Sequence, residues 1–220
     1  MIEDSLPTLV IGNKNYSSWS LRPWLLMRHF GIAFTEVKLP LDTVEFHERI
    51  VGLSPNARVP ALHVDGDVVW DSLAICETVS ERWLNGAGWP AERRVRAAAR
   101  SASAEMHSGL SSLRSQLPMN CRRQPGAPHW DAAAGRDIQR VEELWRFLRG
   151  SFAGEAAFLC GGFGIVDAMF SPVCLRFRSY APVLAADTLA YMERVLALAA
   201  MGEWLADAAL ETARVAADEA

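Results

Sequence analysis

The chain has no basic excess, no paired cysteines and no long apolar run, and each absence removes a class of function. Its 220 residues hold 26 acids against 22 bases, a net charge of −4. The first 84 residues carry 11 acids and 7 bases and the remainder 15 of each, so neither part offers the basic surface that a nucleic-acid backbone demands. Lysine is almost missing. Lys14 and Lys38 stand beside 20 arginines, dispersed over several segments as on a solvated surface. The four cysteines, Cys76, Cys121, Cys160 and Cys174, form no C-x-x-C pair and have no histidine at zinc-like spacing, so no metal is expected. The apolar residues before Cys76, Cys160 and Cys174, and the scatter of all four, point to reduced core residues of a cytoplasmic protein. The longest apolar stretch, Val195 to Met201, has 7 residues where a bilayer crossing needs about 20. No membrane insertion is expected, and the acidic start from Met1 to Pro7 lacks the regions of an export signal.

What is present is a globular composition, 50% hydrophobic and 22% charged, which disordered chains do not have. Thr8 to Ile11 reads as a strand closed by Gly12, and Trp19 to Phe30 as a helix stopped by Gly31. Phe34 to Leu39 predicts a second strand and Thr43 to Val51 a short helix. Pro60 to Val64 and Val68 to Trp70 flank Asp65-Gly66-Asp67, a hairpin signal, and Ser72 to Leu84 follows as a helix. This βαβαββα order predicts a four-stranded mixed sheet covered by helices in residues 1–84. A Gly- and Pro-containing linker spans 85–92, and residues 93–220 read as an all-helical bundle. Its helices are expected over Arg93–Leu117, Asp131–Arg149, Ile165–Arg178, Thr188–Leu198 and Glu203–Ala209, with the segment from Pro118 to Pro128 as a break.

Four motifs give this arrangement a family resemblance: Tyr16-Ser-Ser-Trp-Ser-Leu-Arg-Pro-Trp24, Ser54-Pro-Asn-Ala-Arg-Val-Pro-Ala-Leu62, Asp71-Ser-Leu-Ala-Ile75 and Gly164-Ile-Val-Asp-Ala168. Together they resemble the cytosolic glutathione transferases over nearly the whole chain. The first motif is nearest the serine-type classes, especially zeta, with Trp19 where that class has cysteine. The resemblance implies a thioredoxin-like amino-terminal domain that binds glutathione, a helical domain that forms the second-substrate pocket, and a homodimer.

A free thiol with a pKa of about 8.5 is mostly protonated at neutral pH, and lowering it by two units requires about 2.7 kcal/mol. A hydroxyl donating to an anion supplies about 1.5–3 kcal/mol, and a helix N-terminus adds about 0.3–1. Ser17 is the expected donor, with Ser18 as substitute and Tyr16 as a third candidate. On residue grounds alone, the serines could equally be a helix N-cap. The resemblance implies a cis bond before Pro60, with Val59 pairing the cysteinyl amide and Arg58 meeting the glycyl carboxylate. Arg58 reads equally well as a solvated surface arginine. At the start of the next helix, Ser72 would take the γ-glutamyl carboxylate and Asp71 the ammonium, while Asp71 also serves as N-cap. Gly164 to Asp167 matches the family's capping box, with glycine in place of its usual Ser or Thr. Met106, His107, Leu110, Arg176, Arg178 and Tyr180 are candidates for the second-substrate pocket, where an arginine pair could select an anionic electrophile.

The expected function is conjugation of glutathione, the co-substrate, to a small electrophile, with no metal. One alternative is glutathione-dependent cis–trans isomerisation of the maleylacetoacetate type. The other is a non-catalytic binding protein with the same fold.

Overall fold

A computed structural model of the chain describes residues 6–126, 129–154 and 158–219, so the first five residues and Pro128, the end of the expected break, lie outside it. The amino-terminal part is built as β1 (Thr8–Gly12), α1 (Ser18–His29), β2 (Thr35–Leu39), α2 (Val44–Ile50), β3 (Ala61–Val64), β4 (Asp67–Val69) and α3 (Ser72–Trp83). The strands form one mixed sheet in the order β2-β1-β3-β4. β1 runs parallel to β2, with Val10 opposite Val37, and antiparallel to β3, with Leu9 opposite Leu62. This is the thioredoxin-like arrangement that the sequence order predicts.

Period-2 alternation divides the sheet's side chains between two layers. Val10, Leu39 and Ala61 meet Phe46 and Ile50 of α2 on one face, forming a small separate core. Leu9, Ile11 and Leu62 enter the main core on the other face with Leu21, Leu25, Ile75 and Val79 of α1 and α3. That core continues without interruption into the carboxy-terminal half.

The helical half comprises α4 (Arg93–Ser108), α5 (Ser111–Gln116), α6 (Ala132–Leu148), α7 (Ile165–Tyr180), α8 (Ala186–Leu196) and α9 (Ala199–Leu210). α7 is its centre, buried along nearly its whole length, and it packs against α1, α4 and α8. Two boundaries depart from expectation by more than two residues. The helix predicted over Arg93–Leu117 is two helices, because Leu110 adopts a left-handed conformation (φ 55°, ψ 38°) and turns the chain. The Leu113 amide then donates to Asp137 on α6 at 2.9 Å, which anchors α5 in its new direction. α9 begins at Ala199, four residues before the expected Glu203, since Ala-Ala-Met are strong helix formers. No described helix is long and apolar enough to cross a membrane.

Gly164 caps α7, and its amide donates to Asp167 Oδ2 at 3.0 Å, which is half of a capping box. The hydroxyl half is missing for a steric reason. A Cβ at Gly164 would sit 2.8 Å from the Gly88 carbonyl oxygen, which already accepts the Ile165 amide at 2.9 Å. The linker therefore crosses α7 at a point where only glycine leaves room.

Candidate functional site

The segment after β1 is held by the far end of the chain. Glu211 accepts the amides of Lys14 and Asn15 at 2.9 and 3.0 Å, and Asn13 Oδ1 accepts the Leu41 amide at 2.7 Å. Lys14 is buried between the rings of Trp24 and Trp204, ion-paired with Glu36 at 2.9 Å and Asp207 at 2.6 Å. These contacts fix the entry to α1, so the hydroxyls that follow are placed by a rigid frame.

Ser17 is the N-cap of α1 and 5% exposed, but its side chain does not cap the helix. Its Oγ lies 2.7 Å from Ser20 Oγ, which also accepts the Gly12 amide at 3.1 Å. The N-cap reading of Ser17 from sequence therefore holds for the position and not for the hydroxyl. Ser18, half-buried, accepts from Arg176 Nη2 at 3.3 Å. The amides of Trp19 and Ser20 have no protein acceptor among the described residues, which leaves a helix N-terminus able to receive negative charge. Tyr16 is 4% exposed and its hydroxyl is engaged twice, accepting from Arg122 Nη2 at 2.9 Å and donating to Glu219.

Ser17, Ser18, Arg58 and Val59 line one cleft of about 380 Å³ together with Tyr16, Trp19, Leu41 and Phe46 and, from the carboxy-terminal half, Arg114, Met119, Arg176 and Asp218. Arg58 is exposed at the end of a turn shaped by Asn56, which accepts from Ser54 Oγ at 2.8 Å and from the Arg58 amide at 3.1 Å. The Val59–Pro60 bond is cis, and Pro60 is buried at the entrance to β3.

Asp71 and Ser72 are not on the cleft wall. Asp71 caps α3, accepting the Leu73 amide at 3.1 Å on Oδ1, while Oδ2 pairs with His107 of α4. Ser72 is fully buried and its hydroxyl accepts from Arg22 Nη1 at 3.4 Å. The side-chain role expected of Ser72 toward a carboxylate is thus filled by a guanidinium of the protein. Trp19 separates this region from the cleft: Arg22 and Arg114 lie over its ring at 4.2 and 5.1 Å, and His107 meets its edge at 5.4 Å.

Among the residues expected at a second-substrate pocket, only Arg176 lines the cleft. Met106 and Leu110 belong to the main core. His107 is committed to Asp71. Arg178 donates to the Cys121 carbonyl at 3.0 Å, and Tyr180 packs under Arg123. The residue that sequence reasoning missed is Arg114, whose place depends on the break before α5. Burial pushes the Arg176 guanidinium down to about 10, with Arg114 adding to the effect against Asp218. Arg22 is pushed down to about 9 by burial and by its two cationic neighbours. No group of three or more His, Cys, Asp or Glu side chains able to hold a metal occurs among the described residues.

Residues 16–82 match the family model described as the glutathione S-transferase N-terminal domain. No curated protein matches the chain significantly in sequence. Among solved structures, the chain is similar to a glutathione transferase homolog from Burkholderia GL BGR1 with bound glutathione (TM-score 0.70, 21% identity, covering 92% of this chain and 97% of that one). It is also similar to a tau class glutathione S-transferase from mango, Mangifera indica (0.71, 16%, 92% and 93%), and a glutathione transferase from Methylococcus capsulatus str. Bath (0.68, 18%, 94% and 100%). At these identities the likeness is one of fold. Residues 16–82 thus match a glutathione S-transferase N-terminal domain by sequence, and the chain as a whole has the glutathione transferase fold.

Proposed function

We propose that the protein is a glutathione transferase that holds the glutathione thiolate with a serine hydroxyl and adds it to a small electrophile. The observation that carries this reading is the meeting of Ser17, Ser18, Arg58 and Val59 on one cleft, since two segments about 40 residues apart in sequence supply them. Val59 presents its backbone to the tripeptide and Arg58 meets the glycyl carboxylate, while Asp71 and Ser72, off the cleft wall and engaged by His107 and Arg22, are assigned no contact with it. The sulfur lies at the N-terminus of α1.

Ser17 is the better donor of the two serines. When a thiolate arrives, Ser17 turns its proton to sulfur and accepts the Ser20 proton in exchange, so no hydroxyl loses a partner. Ser18 supports the same anion through the guanidinium that donates to it. Tyr16 is not assigned this role, because its hydroxyl is consumed by Arg122 and Glu219. The thiol proton leaves to solvent, the sulfur attacks the electrophile, and rate comes from the shifted thiol pKa and from proximity.

Calorimetric titration with glutathione, followed by turnover of 1-chloro-2,4-dinitrobenzene, tests the reading. Saturable heat and conjugate formation are expected. Saturable heat with no conjugation of any electrophile would favour the non-catalytic alternative, and no heat would end both.

A further inference from the structure

The cleft holds more arginine than the glycyl carboxylate of glutathione uses. Arg114 and Arg176 face Ser17 and Ser18 from the helical half, and Arg22 lies behind Trp19. None of the three is within ion-pairing distance of a carboxylate among the described residues. The acid that shares the cleft, Asp218, leaves the wall with three arginines against one carboxylate, Arg58 being the third.

The two wall arginines differ in what they have left to give. Arg176 is 5% exposed and spends Nη1 on the carbonyls of Arg114 and Leu117 and Nη2 on Ser18, so it is a fixed strut and a fixed charge. Arg114 is half-buried and spends only Nη1, on the His107 carbonyl at 3.1 Å. Its Nε and Nη2 have no partner among the described residues, and its guanidinium is steadied over the Trp19 ring. A planar fork with two free N–H edges, held in place and open to a cleft, is the geometry that takes a carboxylate bidentately.

We infer that the second substrate is a carboxylate-bearing electrophile, its anion held by Arg114 with Arg176 behind it and its apolar body against Trp19 and Met119. This rests on the transferase reading and names the substrate class for it. Glutathione's glycyl carboxylate is accounted for by Arg58, which comes from a different segment of the cleft than Arg114. The arrangement puts the reacting carbon between the anion clamp and the sulfur.

The test uses two aryl chlorides of the same shape, 4-chloro-3-nitrobenzoate and its neutral amide. In both, the thiolate forms a C–S bond at the chlorine-bearing carbon, and chloride leaves with the C–Cl electron pair. Each kcat/KM is divided by the uncatalysed rate with glutathione thiolate, which removes the intrinsic difference between the ring substituents. The benzoate is expected to be favoured about ten- to a hundredfold. Arg114→Gln should abolish most of that ratio, Arg114→Lys should keep part of it, and the calorimetric Kd for glutathione should move less than about twofold. Circular dichroism establishes that the variants are folded. A wild-type ratio near one, a ratio unchanged in Arg114→Gln, or a matching loss of glutathione affinity would each overturn the inference while leaving the transferase reading intact. An absence of heat with glutathione and of both conjugates would defeat the transferase reading first and this inference with it.

Discussion

Replacing Gly164 by serine restores the side chain that a capping box ordinarily has, and by cap chemistry alone it should stabilise the protein. The gain is small. Serine over glycine at an N-cap is worth a few tenths of a kcal/mol, and losing glycine's freedom in the unfolded chain adds about 0.4–1. Against this stands the Cβ, which would lie 2.8 Å from the Gly88 carbonyl oxygen. Gly88 cannot retreat. A Cβ built on it would meet Ser80 Oγ at 2.7 Å, its amide bonds that same hydroxyl at 3.1 Å, and its carbonyl accepts the Ile165 amide at 2.9 Å. Relieving the clash means opening the seam between α3, the linker and α7, a distortion of the kind that costs about 1–3 kcal/mol. The net expectation is a loss of about 1 kcal/mol, which lowers Tm by about 2–4 °C in a chain of this size. Gly164→Ala should lose slightly more, having the clash without the hydroxyl. Thermal unfolding followed by circular dichroism measures both, and a Gly164→Ser protein as stable as wild type or more stable would refute the steric argument.

Two further expectations concern buried charge. Arg22 is fully buried, has no carboxylate partner, and its Nε has no hydrogen-bond acceptor, so Arg22→Met should stabilise the fold by about 1 kcal/mol, read as a rise in urea midpoint; a clear loss would mean that the Trp19 stack and the Ser72 bond outweigh desolvation. Asp167 is pushed up to about 6 by burial, against bonds from the Leu159 and Gly164 amides and Tyr191. The folded protein then takes up a proton between about pH 6 and 4 that the unfolded chain does not hold, so this group's contribution to stability is present below that window and lost as pH rises through it. Asp167→Asn should remove that component from the pH dependence of the urea midpoint, and an unchanged slope would contradict it.

Much of this was legible in the chain because local signals and burial agree there. The strand and helix periods of residues 8–83 place every element of the sheet domain, and the motifs around Ser17 and Val59 line one cleft. The failures share a physical cause, which is that tertiary contacts overrode local preference. Nothing in Arg93–Leu117 announces a left-handed leucine at position 110, so Arg114 is, by sequence, one more of the dispersed arginines. Ser72 looked free for a ligand because Arg22, fifty positions earlier, has no pattern that marks it as buried. Gly164 read as a weakened cap, and only the linker's crossing explains it. Tyr16 is open as a thiol activator by sequence, and only the carboxy-terminal segment, with Glu219 and the contacts of Arg122, occupies its hydroxyl.

The central claim is that Ser17 stabilises a thiolate on bound glutathione, and ultraviolet titration of the thiolate in the binary complex measures it directly. Wild type should show a bound-thiol pKa about two units below the free value of about 8.5, and Ser17→Ala should return it by about 1–2 units, more than Ser18→Ala does. A bound thiol that titrates like the free one, or a lowered pKa that survives Ser17→Ala unchanged, would contradict it.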